Sequence, residues 1–280
     1  MADIYGFDAF SPKQIAEKVD NIGVTKARLP LLSMVMLGVL AGAFIGLGAL
    51  YFVLIKSDAN LGFGTSQMLG GLAFSLGLLL VVVAGAELFT GNNLLAMAWA
   101  DNKITTTELL RNWLVVACSN FIGAAGLAVL VYVSGHTELN HGVIAERYLQ
   151  IAQAKCSLPF WTAFFRGVLC NILVCMAIWM AMAGRSVVDK AVAIVFPISA
   201  FVAAGFEHSI ANMFFIPLAM CIKAFSGTAA ATATDAVGWL GFIGNLIPVI
   251  LGNLVGGSVL VGLVYYVIYL RKPVLPSDKT

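Results

Sequence analysis

The stretch that decides the fold reads Gly205-Phe206-Glu207-His208-Ser209-Ile210-Ala211-Asn212. It sits inside an apolar run from Ala191 to Ile222 that carries Glu207 and His208 and no other acidic, basic or histidine residue. An earlier stretch, Gly85-Ala86-Glu87-Leu88-Phe89-Thr90-Gly91-Asn92, lies in a second such run, Ala59 to Ala100, where Glu87 is the sole charge. Both follow G-x-E-x4-N. Each run is too long for one straight membrane span of about 20 residues, and the second is too short for two spans with a turn between them. A helix interrupted at membrane depth fits both lengths. Irregular backbone is tolerated there only when protein buries it or it lines a cavity.

The composition around these runs agrees. Of 280 residues, 60% are hydrophobic and 11% charged, and the mean hydropathy is +0.95. A soluble domain averages about 45–50% apolar and about 25% charged residues, so this chain has too few charges to cover a water-facing surface. Four further stretches read as spans: Leu29–Ile55, Asn112–Thr137, Gly167–Gly184 (entered through Phe160–Phe165 and Arg166) and Ala236–Leu270, starting near Trp239. With the two interrupted runs these make six. With the amino terminus inside, inside segments hold 11 Lys and Arg residues and outside segments hold 5. The positive-inside rule then places both ends in the cytoplasm.

A second pattern repeats in the same order. Asn112, Asn120 and Gly123 show N-x7-N-x2-G, and so do Asn245, Asn253 and Gly256. Three spans separate the two copies, so the halves run in opposite directions through the membrane. Paired interrupted helices in an inverted repeat point to a site near the midplane. The expected organisation is an amphipathic amino-terminal helix over 1–28, a pore domain over 29–270 and a tail over 271–280. Ser11-Pro12-Lys13-Gln14 has a capping residue, a first-turn Pro and a Gln three residues on, a helix start. The 1–28 segment has no apolar core of the kind a cleaved signal needs. It reads as a surface helix or as a lid over a pore mouth.

Ionisable groups inside a membrane are costly, roughly 2.5–3.5 kcal/mol or more, and mark function by default. Glu87 and Glu207 follow a glycine at each break, where a carboxylate can accept freed backbone N–H groups. A structural role is preferred for both, with Asn92 and Asn212. His208 is the candidate pore residue and proton partner for a weak acid, although a lone His is more often a satisfied core residue. Thr90 and Asn171 are neutral groups able to orient a small anion or, more blandly, to bond between helices. Cys118, Cys156, Cys170, Cys175 and Cys221 read as small buried hydrophobes. No His or Cys accompanies His208 at metal-ligand spacing, there is no phosphate-binding or dinucleotide motif, and no basic patch suits nucleic acid. No cofactor, metal or enzyme chemistry is expected.

Ala84–Asn92 (A-G-A-E-L-F-T-G-N) and Gly205–Met213 (G-F-E-H-S-I-A-N-M) resemble the two signature breaks of the formate/nitrite transporter family. So do Gly70–Gly77, Gly184-Arg185-Ser186 with Asp189-Lys190, Asn245-Leu246-Ile247-Pro248 and Tyr269-Leu270-Arg271, closest to the formate-channel branch. The resemblance implies an aquaporin-like six-helix protomer in a homopentamer of the bacterial inner membrane, with one pore per subunit passing formate and protons. It implies His208 and Thr90 at the centre, with Asn171 opposite the first break. It implies an inner constriction at Leu78, Leu88 and Val174, an outer one at Phe74 and Phe201, and Lys155 drawing anions to the outer vestibule. Gly91 stands where formate channels often carry Ser, which keeps nitrite or hydrosulfide open as substrates. A water- or glycerol-type pore is a weaker reading, since the breaks lack paired Asn-Pro-Ala motifs. A transport-inactive scaffold leaves two buried glutamates and a histidine unexplained.

Overall fold

The structure, a computed structural model, describes residues 10–225 and 234–271. Among the described residues every regular element is a helix. The sequence expectations falling on 1–9, 226–233 and 272–280 lie outside that description.

Helix α1 (Pro12–Ala27) starts at the capping box read from the sequence: Gln14 N–H donates to Ser11 Oγ, and Ser11 N–H to Gln14 Oε1. Its apolar side, Ile15, Ala16 and Val19, is buried against Leu94, Met97 and Trp179. Among the described residues five helices are long and apolar enough to cross a membrane: α2 (Leu31–Lys56), α3 (Phe63–Ala84), α5 (Thr106–Val133), α7 (Phe160–Ala183) and the run Trp239–Tyr269. That last run comprises α10 (Trp239–Leu254), a π-helical stretch Val255–Leu263 and α11 (Val264–Tyr269). Their outward faces are apolar, with Leu240 90% and Phe63 81% exposed. In water such surface costs about 25 cal/mol per Å²; in lipid it costs nothing, and the chain is a membrane protein.

The third span begins at Thr106 rather than at the expected Asn112, because Thr105 and Glu108 form a capping box that extends the helix past its charged first turns. Between α5 and α7 lies a helix that the apolar pattern does not announce, α6 (Val143–Cys156). Its packing partner is α9 (Ser209–Phe225), the shorter apolar helix. Helix α2 packs on α3 and α5, and α7 on α8 (Val187–Ala203) and α10; α3 meets α8 and α5 meets α9 across the middle.

The helical chain stops at both G-x-E motifs. Gly85 (φ +82) ends α3 and Gly205 (φ +70) follows α8, each in the left-handed region that side chains avoid. After the first stop come a 3-10 turn (Gly91–Leu95) and the short α4 (Ala96–Ala100); after the second comes α9. The repeated glycines Gly123 and Gly256 are places where main chains touch. A Cβ on Gly123 would meet the Val39 carbonyl at 1.9 Å, and one on Gly256 the Val168 carbonyl at 2.2 Å.

Candidate functional site

Each stop leaves backbone N–H and C=O groups without helical partners in a low-dielectric interior, and each must be satisfied. The two repeated asparagines do this identically. Asn120 takes the Phe89 N–H on Oδ1 (2.9 Å) and donates from Nδ2 to the carbonyls of Gly38 (2.8 Å) and Glu87 (2.9 Å). Asn253 takes the Ser209 N–H (3.0 Å) and donates to the carbonyls of Gly167 (2.9 Å) and Glu207 (3.1 Å).

The glutamates are held in matching braces. Glu87 pairs with Lys26 Nζ at 2.8 Å and accepts from Asn92 Nδ2 at 2.7 Å; Asn92 Nδ2 also reaches Asn112 Oδ1 (3.0 Å), and Asn112 Nδ2 donates to the Lys26 carbonyl (3.1 Å). Glu207 pairs with Lys155 Nζ at 2.9 Å and accepts from Asn212 Nδ2 at 2.7 Å; Asn212 reaches Asn245 Oδ1 (2.6 Å), and Asn245 donates to the Lys155 carbonyl (3.0 Å). Both carboxylates are 3% exposed. A buried charge survives only when paired and hydrogen-bonded, and here every partner is duplicated. The two lysines differ in origin: Lys26 comes from α1, Lys155 from α6.

Between the braces the halves differ. Thr90 Oγ1 lies 3.1 Å from His208 Nε2, both side chains buried. His208 Nδ1 accepts the Ala211 N–H at 3.2 Å. A nitrogen that accepts carries no proton, so the neutral ring has its hydrogen on Nε2 and donates it to Thr90. The Thr90 hydroxyl hydrogen is then free to donate elsewhere. Asn171 Nδ2 supports the same turn from behind through the Thr90 carbonyl (3.2 Å). The His208 ring stacks on Phe201 (5.9 Å between centroids, 18°), and Phe201 meets Phe74 edge to face at 5.7 Å. Leu78, Leu88 and Val174, at 2%, 1% and 1% exposure, belong to the same apolar cluster.

Two cavities with no residue in common flank this centre. One, about 370 Å³, is lined by Phe74, Phe201, Glu207, His208, Lys155 and Arg166 among others. The other, about 160 Å³, is lined by Leu88, Gly91, Glu87 and, from α1, Val19, Ile22 and Lys26. Thus Lys155 reaches its cavity but is committed to Glu207. Arg166, which makes no ion pair among the described residues, gives the larger cavity a net positive lining, whereas Lys26 and Glu87 cancel in the smaller one. Sequence reasoning did not single out Lys26 or Arg166. Both were visible only as flanking positive charge, and no spacing ties a Lys on α1 to a Glu 61 positions later.

Helix α1 is also held by the buried Asp20, which bonds Lys103; Lys103 in turn pairs with Asp101 at 3.1 Å. Burial, opposed by Lys103, raises the Asp20 carboxyl above its ordinary 3.8, and the bond to Asp20 raises Lys103. Among the described residues no cluster of His, Cys, Asp or Glu is arranged to hold a metal.

Two cavities on either side of a buried, hydrogen-bonded centre in an apolar helical shell are the architecture of a membrane transport protein. Comparison with known proteins gives the particular family: the Formate/nitrite transporter family model matches residues 13–267, and the chain belongs to that family. It is 40% identical over 275 residues (95% of this chain, 96% of the relative) to the formate channel FocA of Escherichia coli strain K12. It is 37% identical over 264 residues (93% and 96%) to the formate channel BtFdhC of Bacillus thuringiensis. A solved pentameric formate channel with formate bound superposes with a TM-score of 0.81 at 39% identity, covering 86% of this chain and 98% of that one. The family is one of transporters, and the chain is not an enzyme.

Proposed function

We propose that the chain is a formate channel of the bacterial inner membrane, a homopentamer with one pore per subunit. In this reading six spans form an inverted repeat of three and three, the second and fifth broken at Gly85 and Gly205. Both termini are cytoplasmic, residues 29–270 make the pore domain and 271–280 the tail. Within the amino-terminal segment, α1 is the lid, because it supplies wall to the smaller cavity. The larger cavity is then the outer vestibule.

The observation that carries the proposal is the polarity of one hydrogen-bond chain: Ala211 N–H to His208 Nδ1, His208 Nε2–H to Thr90 Oγ1, Thr90 O–H outward. It presents a donor, without a formal charge, between two apolar constrictions. A carboxylate oxygen is the acceptor such a donor recognises. Arg166 raises anion concentration in the outer vestibule, with Lys155 neutralised there by Glu207. Phe74 with Phe201, and Leu78 with Leu88 and Val174, exclude water and hydrated ions by dewetting. A bare anion entering such a constriction loses its hydration at high cost, whereas the protonated acid does not, so the solute crosses each slit as the neutral acid or with the slit open. Proton donation by His208 itself requires a second ring proton at Nδ1 and hence release of the Ala211 bond.

Uptake into proteoliposomes of formate, nitrite, hydrosulfide and glycerol, at neutral and mildly acidic pH, tests this. Fast formate with slow glycerol is the expected result; glycerol alone would sink the anion mechanism. Gly91 favours the second reading, a nitrite or hydrosulfide channel, since it leaves the smaller cavity without the hydroxyl that Ser would place there. Faster nitrite or hydrosulfide than formate would select that reading.

A further inference from the structure

The two breaks share the ion pair and the asparagine bonds of their braces and differ there only at the margins: Lys26 Nζ also reaches Asn92 Oδ1 (3.0 Å) while Asn212 Oδ1 takes no bond, and Asn245 Nδ2 reaches Glu207 at 3.5 Å. Beyond the braces, polar residues present in one half alone mark what that half has added. Counting from the matched residues, Asn93 corresponds to Met213, Asn171 to Gly42 and Ser258 to Ala125. These three polar residues sit together behind Thr90, and their counterparts cannot form hydrogen bonds through side chains.

Asn93 is 0% exposed and bonded on every side. Its Nδ2 donates to the Phe89 carbonyl (3.1 Å), its Oδ1 accepts from Asn171 Nδ2 (2.8 Å), and its carbonyl accepts from Ser258 Oγ (3.1 Å). Asn171 Nδ2 faces three acceptors, Asn93 Oδ1, the Asn253 carbonyl (2.8 Å) and the Thr90 carbonyl (3.2 Å), with only two hydrogens to give. Asn93 Oδ1 therefore shares the Asn171 Nδ2 donor with the Thr90 carbonyl. Asn171 Oδ1 is buried and takes no bond.

The helix that brings Ser258 is irregular at this place. Its counterpart α5 continues as an α-helix past Gly123, but here the chain is π-helical over Val255–Leu263. Long π stretches are rare and mark functional positions. The wider turn seats Gly257 directly against the polar group: a Cβ there would meet Asn171 Nδ2 at 2.3 Å, Asn93 Cβ at 2.8 Å and Cys175 Sγ at 2.8 Å. Neither Asn93 nor Ser258 lines either of the two cavities beside the centre.

We propose that Asn93 and Ser258, acting through Asn171 and the π-helical turn, are positioning residues that fix Thr90 against His208 and so set how tightly and how selectively the centre holds its anion. The proposal rests on the channel reading above. It requires that the clamp act through Thr90 and nowhere else.

The test is a double-mutant cycle in the full-length protein, reconstituted and checked for assembly. Formate flux is measured against concentration, together with the formate-to-nitrite flux ratio, for Ser258→Ala, Asn93→Leu, Thr90→Val and the pairs. Losing one buried hydrogen bond corresponds to about a five- to tenfold change. Ser258→Ala is expected to raise the half-saturating concentration by about that factor with maximal flux little changed, and Ser258→Thr, which keeps the hydroxyl, to restore it. In the Thr90→Val background neither Ser258→Ala nor Asn93→Leu should change the flux ratio further. Equal effects in both backgrounds would overturn the proposal. So would loss of assembly in Asn93→Leu and Ser258→Ala alike, or unchanged half-saturation in both. A wild-type protein that fails to pass formate would instead overturn the channel reading, a result seen before any variant is made.

Discussion

The first and second breaks of this chain hold their glutamates with the same partners at nearly the same distances, yet one presents Leu88 and Thr90 where the other presents His208 and Ile210. The shared part is a solution to one physical problem, a helix end in a medium without water. The unshared part goes beyond that need: His208 accepts one N–H of the α9 start through Nδ1, and its other nitrogen is turned to Thr90, a bond the helix end does not require. The comparison separates residues that make the irregular backbone possible from residues that make it useful.

The largest effect is expected from breaking the shared part. Glu207→Ala leaves Lys155, whose side chain is 15% exposed, unpaired; Glu87→Ala leaves Lys26, at 27%. Removing one partner of a buried pair costs about 3–5 kcal/mol, so Glu207→Ala should lower thermal stability of the purified protein by that amount and Glu87→Ala by visibly less. Equal losses would mean that the lysines' access to water is immaterial.

Next comes the unshared part. His208→Leu makes the second break resemble the first and removes the donor from Thr90. Formate flux in proteoliposomes should fall by about tenfold or more, the equivalent of one lost hydrogen-bonded group, while the melting temperature stays within a few degrees. Unchanged flux and unchanged pH dependence would remove His208 from the mechanism.

A smaller effect is expected from the charge difference between the two cavities. Arg166→Ala should raise the half-saturating formate concentration from the outer side a few-fold at low ionic strength and hardly at all above about 0.5 M salt, where screening is strong. The smallest concerns the origin of Lys26. Because burial raises the Asp20 carboxyl, the bound position of α1 favours the protonated acid: its hold is greatest below pH 3.8 and declines as pH rises through the raised value. Hydrogen exchange over residues 12–27 should be slower in acid after correction for the intrinsic rate, and Asp20→Asn should flatten that dependence. No change in the variant would place the sensitivity elsewhere. Nothing comparable is expected at the second break, where the lysine comes from α6.

The parts of this arrangement that were legible in the sequence are those where the membrane forbids alternatives. A Gly-x-Glu inside an otherwise uncharged run has few explanations in lipid, and the repeated asparagine spacing carried its own control. The motif resemblance alone suggested constriction roles for Phe74, Leu78, Leu88, Val174 and Phe201, which no spacing distinguishes from ordinary core. The partner of Glu87 was not legible, because it lies on α1, outside the apolar runs, and pairing across 61 residues leaves no local trace. Helix α6 was missed for a related reason: it is short and mixed in character, and its buried face, Ile144, Tyr148 and Ala152, is set by α9 rather than by lipid. The π-helical turn and the Asn93–Ser258 bond were invisible because Gly256-Gly257-Ser258 reads equally well as a small-residue helix contact.

The main-chain contacts at Gly123 and Gly256 have a mechanical consequence. Two helices that meet carbonyl to Cα, with no side chain between them, have no compressible layer along which to slide or part. Helix pairs fastened in this way move as one body, so a change of shape is confined to the segments outside those contacts, such as the turns at Gly85 and Gly205.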